Sequence, residues 1–529
     1  MADSSNGKMF ATGLAAAGLL AALPSLGQEA QRPNVLFIAV DDLRPQLGCY
    51  GHEQIKSPNI DRLAGGGLLF ERAYCQQAIC MASRASLLSG YRPDKGRIYK
   101  NGALFTHVPD ALSLNQHFMN NGYEAVAMGK IYHHESDYEN GWSRPWFKPK
   151  GEWEGRGYLD EESKRIVREY PETHPNEKRK GMGPAFEAPD VPDNAYADGM
   201  TAEHAIQELN RLKGKPFFMA VGFAKPHLPF NAPKKYWDVY SEDDIKLTDN
   251  PLAPAGALGE ALTNWGELRG YVGMPKKGPM PEELARQLIH GYYACVSYTD
   301  AMIGKVLDEL DRLGLADNTI VVLWGDHGWK LGDYGMWCKH TTFEIDTHAP
   351  LIIRASGMAA EGRKTASLVE FVDIYPTLAE LCGLDLPEHL QGASMAPLLT
   401  NPEQPWKSAA FSQWPSRGLM GYSIRSGNWR YTEWIDIKTG DIKDRELYDH
   451  SNGPLAARNQ ANDPALTETV SELSRLLDKG QGWKAVRTEL EKKRKTASAW
   501  GAGEFLLAGT TFAPESLDYD YYRISVLAK

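Results

Sequence analysis

Four nearly continuous apolar runs in this 529-residue chain are each followed at once by ionisable side chains. NVLFIAV (34–40) leads into Asp41 and Asp42, and EAVAMG (124–129) into Lys130 and then His133. FFMAVGFA (217–224) leads into Lys225, Pro226 and His227, and TIVVLWG (319–325) into Asp326 and His327. A single strand-end Asp usually caps a turn, and a single Lys or His is usually just solvated. Four such ends converging on one edge point instead to a site. Asp41, Asp42 and Asp326 would crowd three carboxylates together, which repel unless a divalent cation holds them. Oxygen donors select Ca2+ or Mg2+ over zinc. Lys130, His133, His227 and, further along, Lys339 add positive charge and donors around the same place. A divalent ion ringed by cations suits an anion with several oxygens, such as phosphate or sulfate.

One more residue bears on the chemistry. In CQQAICMASRASLLSGYRPD (75–94), Cys80 stands at the head of a helix-like run, just ahead of Ser83 and Arg84. Residue type alone leaves it open as a thiol nucleophile, half of a disulfide, a metal ligand, a small buried apolar residue or the precursor of a modified residue.

The elements that must position these groups are legible. The apolar runs, with PLIIRA (350–355), look like strands buried on both faces. Helical patterns lie between them: SPNIDRLAGGGLLF begins with Ser57 and Pro58, and SYTDAMIGKVLDELDRLGL stops at Gly314. Strands alternating with helices predict an α/β sheet covered on both sides. Segments 135–195 and 229–285 look like insertions rather than core. After about residue 400 the texture changes: GYSIRSGNWRYTEWI predicts an antiparallel pair turning at Gly427-Asn428, and ETVSELSRLLDKG an amphipathic helix. GWKAVRTELEKKRKTA (482–497) predicts a charged, solvated helix.

A net charge of −10 speaks against nucleic acid as a partner. Six cysteines without C-x-x-C or zinc spacing speak against a disulfide scaffold, leaving room for one or two bridges in an exported protein. Lys8, an Ala/Leu-rich stretch and the small residues around Ser25 to Gly27 predict an export signal over 1–27. No other segment is apolar enough to cross a bilayer, so no stable membrane association is expected.

Taken together, these residues resemble the sulfatase family, formylglycine-dependent and type I, and especially its iduronate-2-sulfatase-like branch. The family signature runs Cys-x-Pro/Ala-Ser-Arg to a Gly and an Arg; here it reads Cys80-Met81-Ala82-Ser83-Arg84 to Gly90 and Arg92. VDDLRPQLGCYG, SPNIDRLA, GKIYH, KPHLPF, DHGWKLGDYGMWCKH and ELYDHSNGPLAARNQAND follow in the family's order, over roughly residues 33 to 460. Ala82 replaces the commoner Pro, and His327 stands where most sulfatases have Asn, although this branch has His there.

The resemblance implies an alkaline-phosphatase-like fold: a large mixed sheet sandwiched by helices over 28–400, and a smaller α+β subdomain with an antiparallel sheet over 401–529. It implies that Cys80 is converted to formylglycine by a formylglycine-generating enzyme. The hydrated aldehyde would attack sulfur, form a sulfo-enzyme and release sulfate as the carbonyl re-forms. Asp41, Asp42, Asp326 and His327, with the modified Cys80, would bind one Ca2+. Arg84 and Lys130 would hold the hydrate and neutralise developing charge, and His133 would accept a proton. His227 and Lys339 would bind sulfate and assist the leaving alcohol. The implied substrate is a sulfated carbohydrate, either a 2-O-sulfated uronate of a glycosaminoglycan or a sulfated algal polysaccharide, met in the periplasm or outside the cell. A phosphomonoesterase or phosphodiesterase of the same superfamily, and a catalytically silent glycan-binding protein, are the alternatives. Cys49, Cys75, Cys295, Cys338 and Cys382 are expected to pack. His52, His134, His340, Trp142, Trp146 and Trp153 receive no role.

Overall fold

The computed structural model describes residues 32–96, 99, 108, 111–133, 139–149, 157–174 and 183–480. The leader, the charged helix at 482–497, His134 and Trp153 lie outside the described residues.

The first element is strand β1 (Asn34–Val40), every residue of which is buried. Six more strands share its sheet: β2 (Leu68–Tyr74), β3 (Glu124–Gly129), β4 (Phe217–Phe223), β5 (Thr319–Gly325), β6 (Leu351–Arg354) and β7 (Arg363–Glu370). Their spatial order is β7-β2-β6-β5-β1-β4-β3. Neighbours pair in parallel except at β6, which runs antiparallel to both β2 and β5. The carboxyl ends of β1, β3, β4 and β5 therefore lie along one edge, where ligands of open α/β sheets bind.

Both faces of the sheet are covered, which explains the unbroken apolar runs. Leu36, Ile38 and Val40 enter one core, and Val35, Phe37 and Ala39 enter the other. Helices α1 (Pro58–Gly65) and α2 (Cys80–Ser89) come early in the chain, and α3 (Ala197–Leu212) and α4 (Glu282–Arg312) later. Leu209 of α3 and Tyr292 of α4 pack into the first core, and Met81 and Leu88 of α2 into the second.

A four-stranded antiparallel sheet follows: β8 (Ala409–Ser416), β9 (Leu419–Ser426), β10 (Trp429–Asp436) and β11 (Ile442–Asp449). Helix α5 (Thr467–Gly480) packs Leu473 and Leu477 on it. This sheet is tied to the larger body by buried charge. Glu344 accepts bonds from Arg425 at 3.0 Å and Arg430 at 2.7 Å, and from the Tyr74 hydroxyl at 2.6 Å.

Three sequence expectations need correcting. SPNIDRLAGGGLLF is not one helix: α1 ends at Gly65, and the apolar tail starts β2. The helix that stops before Gly314 starts far earlier, at Glu282. Segment 229–285 is not peripheral, because Phe230, Trp237, Trp265, Leu268 and Tyr271 are buried in the first core. Period and composition could not reveal this, since the segment has almost no regular structure to carry a pattern.

Candidate active site

Cys80 is the first residue of α2, entered from an extended Ile79, and the whole helix is buried. Gly90 closes it at φ 72°, the left-handed ending that favours glycine, and a Cβ there would meet Leu390 at 2.3 Å. Arg92 then pairs with Glu370 at 2.5 and 2.8 Å. The glycine and arginine of the signature thus close and anchor the helix that carries the cysteine.

Asp41 and Asp326 extend the ladder beyond their strands, through bonds from Asp41 N to Phe223 O at 3.1 Å and from Asp326 N to Val40 O at 3.2 Å. Asp42 turns into the left-handed region at φ 57°, and its N–H donates to Asp326 Oδ1 at 3.0 Å. Lys130 follows Gly129, where β3 and β4 approach so closely that a Cβ on Gly129 would sit 2.0 Å from Gly222 O. Cys338 and His340, on either side of Lys339, both have positive φ, 63° and 83°. Backbone held in this sparsely populated region typically marks a segment aimed at a site.

The predicted residues meet around the Cys80 sulfur. It lies 3.4 Å from His327 Nε2, 3.4 Å from Lys339 Nζ and 3.9 Å from Asp42 Oδ1. Arg84, one turn along α2, donates to Asp326 Oδ2 at 2.9 Å and Asp41 Oδ1 at 3.1 Å. Its remaining donors reach the carbonyls of Lys130 at 2.6 Å and Ile131 at 3.0 Å. Lys130 pairs with Asp41, and Lys339 pairs with Asp42 at 2.7 Å. His227 Nε2 stands 3.8 Å from Asp42 Oδ2. His133 lies beside the cluster, lining a small cavity with Lys130, Trp146 and Lys148.

One member was missed by sequence reading. Glu267, on the one-turn helix Gly266–Arg269, places Oε1 3.2 Å from His227 Nε2 and Oε2 3.7 Å from Lys339 Nζ. It follows no strand and sits in the segment set aside as an insertion, so only tertiary folding brings it here. Trp142 and Trp146 fasten their own loop. Trp142 is buried in the second core, and the Trp146 indole donates to Gly129 O at 2.8 Å. All six cysteines are free, and apart from half-buried Cys49 they are buried.

Burial and crowding set the charge states. Burial, reinforced by Asp41, Glu267 and Asp326, holds the Asp42 carboxyl well above the usual range despite Lys339. Burial and Asp41 push Asp326 up to about 6, against Arg84. Burial also opposes ionisation of Asp41, but Lys130 and Arg84 outweigh it and bring this carboxyl well below normal. Burial, with Lys339 close by, keeps His227 and His327 well below the usual histidine range. Burial first, then Asp41, pushes the Cys80 thiol well above normal, so it is a poor nucleophile as a thiol.

These residues fit a divalent cation. Ligand atoms of Asp41, Asp42, Cys80 and His227 lie within 4.8 Å of one another, as do those of Cys80, Asp326 and His327. Asp42 Oδ2 is buried without a hydrogen-bond donor. His327 Nδ1 lies 2.9 Å from Gly328 O, so the proton sits there and the Nε2 lone pair faces the carboxylates.

Fold and site define an α/β protein with a mixed sheet, a smaller antiparallel sheet and a buried, carboxylate-rich site at the strand ends. The chain belongs to the sulfatase family: residues 33–384 match the Sulfatase family model, and residues 332–482 match that of the N-sulphoglucosamine sulphohydrolase C-terminal region. It is 33% identical over 528 residues to human iduronate 2-sulfatase, covering 83% of this chain and 94% of the relative. Among solved structures, BT4656 in complex with its substrate D-glucosamine-2-N,6-O-disulfate aligns with TM-score 0.68 and 23% identity, over 86% of this chain and 98% of that one. The phosphonate monoester hydrolase of Agrobacterium radiobacter aligns with TM-score 0.69 and 22% identity, over 87% and 96%. The chain is a sulfatase, an enzyme that hydrolyses sulfate esters. Among the described residues, no helix is long and apolar enough to cross a membrane.

Proposed function

We propose that this sulfatase removes an O-sulfate from a sulfated carbohydrate, with Cys80 acting as formylglycine beside one Ca2+. The observation that carries the reading is the setting of Cys80, whose sulfur lies 3.4 Å from both His327 and Lys339 at the head of a buried helix. Burial, with Asp41 close by, disfavours its thiolate, in keeping with a modified side chain. Once converted and hydrated, the side chain would supply one hydroxyl to attack sulfur and a second whose deprotonation expels sulfate; a bound Ca2+ would supply positive charge that eases ionisation of the first.

The protein's own groups divide the remaining work. Asp41, Asp42, Asp326 and His327, with residue 80, would hold the ion. Arg84 locks Asp41 and Asp326 in place through its two ion pairs and bears on the hydrate from the adjacent turn. Lys130, paired with Asp41, adds positive charge where the ester oxygens gather. His133 takes a proton from the hydrate. Lys339 and His227 hold the sulfate oxygens and together assist the leaving alcohol.

Likeness to human iduronate 2-sulfatase supports a 2-O-sulfated uronate as substrate. The Cys80-Met81-Ala82-Ser83-Arg84 signature supports maturation by a formylglycine-generating enzyme, and the leader-like 1–27 supports export to the periplasm or beyond. The test is co-expression with that enzyme, mass analysis of the Cys80 peptide, and a desulfation screen over defined sulfated oligosaccharides. The expected peptide has lost hydrogen sulfide and gained oxygen, and sulfate is released from 2-O-sulfated uronate units. A fully active protein that retains the thiol defeats the mechanism. Turnover of phosphate esters but no sulfates favours the phosphoesterase reading.

A further inference from the structure

Glu267 puts a carboxylate on the face of the site that the proposed function gives to the sulfate group. Its Oε1 lies 3.2 Å from His227 and its Oε2 3.7 Å from Lys339. The residue is itself buried, and so are both partners. Such a carboxylate is costly to bury and is tolerated where a cation, here Lys339, faces it. Its seat is built rather than incidental. Trp265 is buried at φ 46°, with the Arg269 guanidinium 3.2 Å above its ring. Arg269 in turn bonds Pro275 O at 2.7 Å and Gly278 O at 2.6 Å, fixing the turn that carries Glu267.

A negative charge beside an anion-binding pair weakens the grip on any anion, and weakens it more for a dianion than for a monoanion. A sulfate ester carries one charge at neutral pH. A phosphate monoester, with a second pKa of about 6, carries close to two. The same fold serves a phosphonate monoester hydrolase, so the choice of oxyanion must come from side chains rather than from architecture. Whatever ion the aspartates hold, an ionised Glu267 would subtract one unit of charge from the ester-facing side.

Building on the function proposed above, we propose that Glu267 is a specificity residue. Through His227 and Lys339 it matches the site to monoanionic sulfate esters and disfavours dianionic phosphate monoesters. One unit of charge at this range, in a medium of effective dielectric about 20, changes the preference between ions differing by one charge by about tenfold or more.

The test compares 4-nitrophenyl sulfate with 4-nitrophenyl phosphate, which share a leaving group, in wild type, Glu267→Gln, Glu267→Ala and Glu267→Asp. Calorimetric binding of the same two esters to Cys80→Ala protein, with and without Glu267→Gln, gives a readout independent of turnover. The neutral variants are expected to shift both kcat/KM and binding toward phosphate by about tenfold or more. Glu267→Asp keeps the charge and should stay within about threefold of wild type. An unchanged ratio in the folded neutral variants, or an equal fall for both esters, overturns the assignment. A wild type that releases no sulfate from any ester counts against the proposed function instead, and the binding ratio still judges Glu267.

Discussion

Replacing Arg84 by alanine removes the cation that holds two of the buried aspartates. The guanidinium has no solvent exposure and binds Asp326 at 2.9 Å, Asp41 at 3.1 Å and two carbonyls. Deleting one partner of a buried ion pair costs about 3–5 kcal/mol. The stranded carboxylates can escape by taking a proton, and that limits the loss. Asp326, already pushed to about 6, is protonated at neutral pH for only about 1–2 kcal/mol. Asp41, which Lys130 and Arg84 hold well below normal, has further to go and carries most of the penalty. Arg84→Ala should therefore lose about 4–5 kcal/mol at pH 7.5 in EDTA, the loss shrinking by about 1.4 kcal/mol for each pH unit downward. Added Ca2+ should recover part of it, since the ion faces the same carboxylates. Arg84→Lys, with one point charge in place of a fork, should recover about half. Urea unfolding followed by circular dichroism at pH 7.5 and 5.5 measures all of these. A loss below about 1 kcal/mol, or one independent of pH, would refute the view that Arg84 neutralises these aspartates.

Cys80→Ala should abolish sulfate release while the melting temperature stays within a few degrees of wild type, and Lys339→Ala should abolish it with a lower melting temperature as well, because it strands the buried Asp42; substantial turnover in either variant removes that residue from the chemistry. Ca2+ should stabilise the protein more at pH 7.5 than at pH 5. The raised carboxyl of Asp326 costs the metal-free fold stability as pH climbs through about 6, and the cation needs that carboxyl ionised. Equal melting shifts at the two pH values would contradict this. Glu370, drawn down to about 2 by Arg92 and Lys407 against burial, adds stability above pH 4.5 that is lost as pH falls through about 2. Glu370→Gln should cost about 3 kcal/mol at pH 7 and progressively less in acid, measured by urea midpoints from pH 2 to 7.

Much of this site was legible in the sequence. Strands buried on both faces must be continuously apolar, so their carboxyl ends announce themselves wherever charge begins. That locates Asp41, Asp42, Lys130, His227, Asp326 and His327, because a parallel sheet brings such ends to one edge. The signature around Cys80 is equally local: a buried helix needs its closing Gly90, and Arg92 needs Glu370. Other features left no trace in the pattern. Strand β2 looked like the tail of a helix, because its apolar start, Leu68 to Phe70, is too short to show a period that separates the two. Glu267 lies in an irregular stretch, and what brings it within reach of His227 and Lys339 is the seating of Trp265 in a core formed by residues far away in the chain. Local sequence fixes what repeats along one strand or one turn of helix. Contacts between segments with no period of their own exist only once the whole chain has packed.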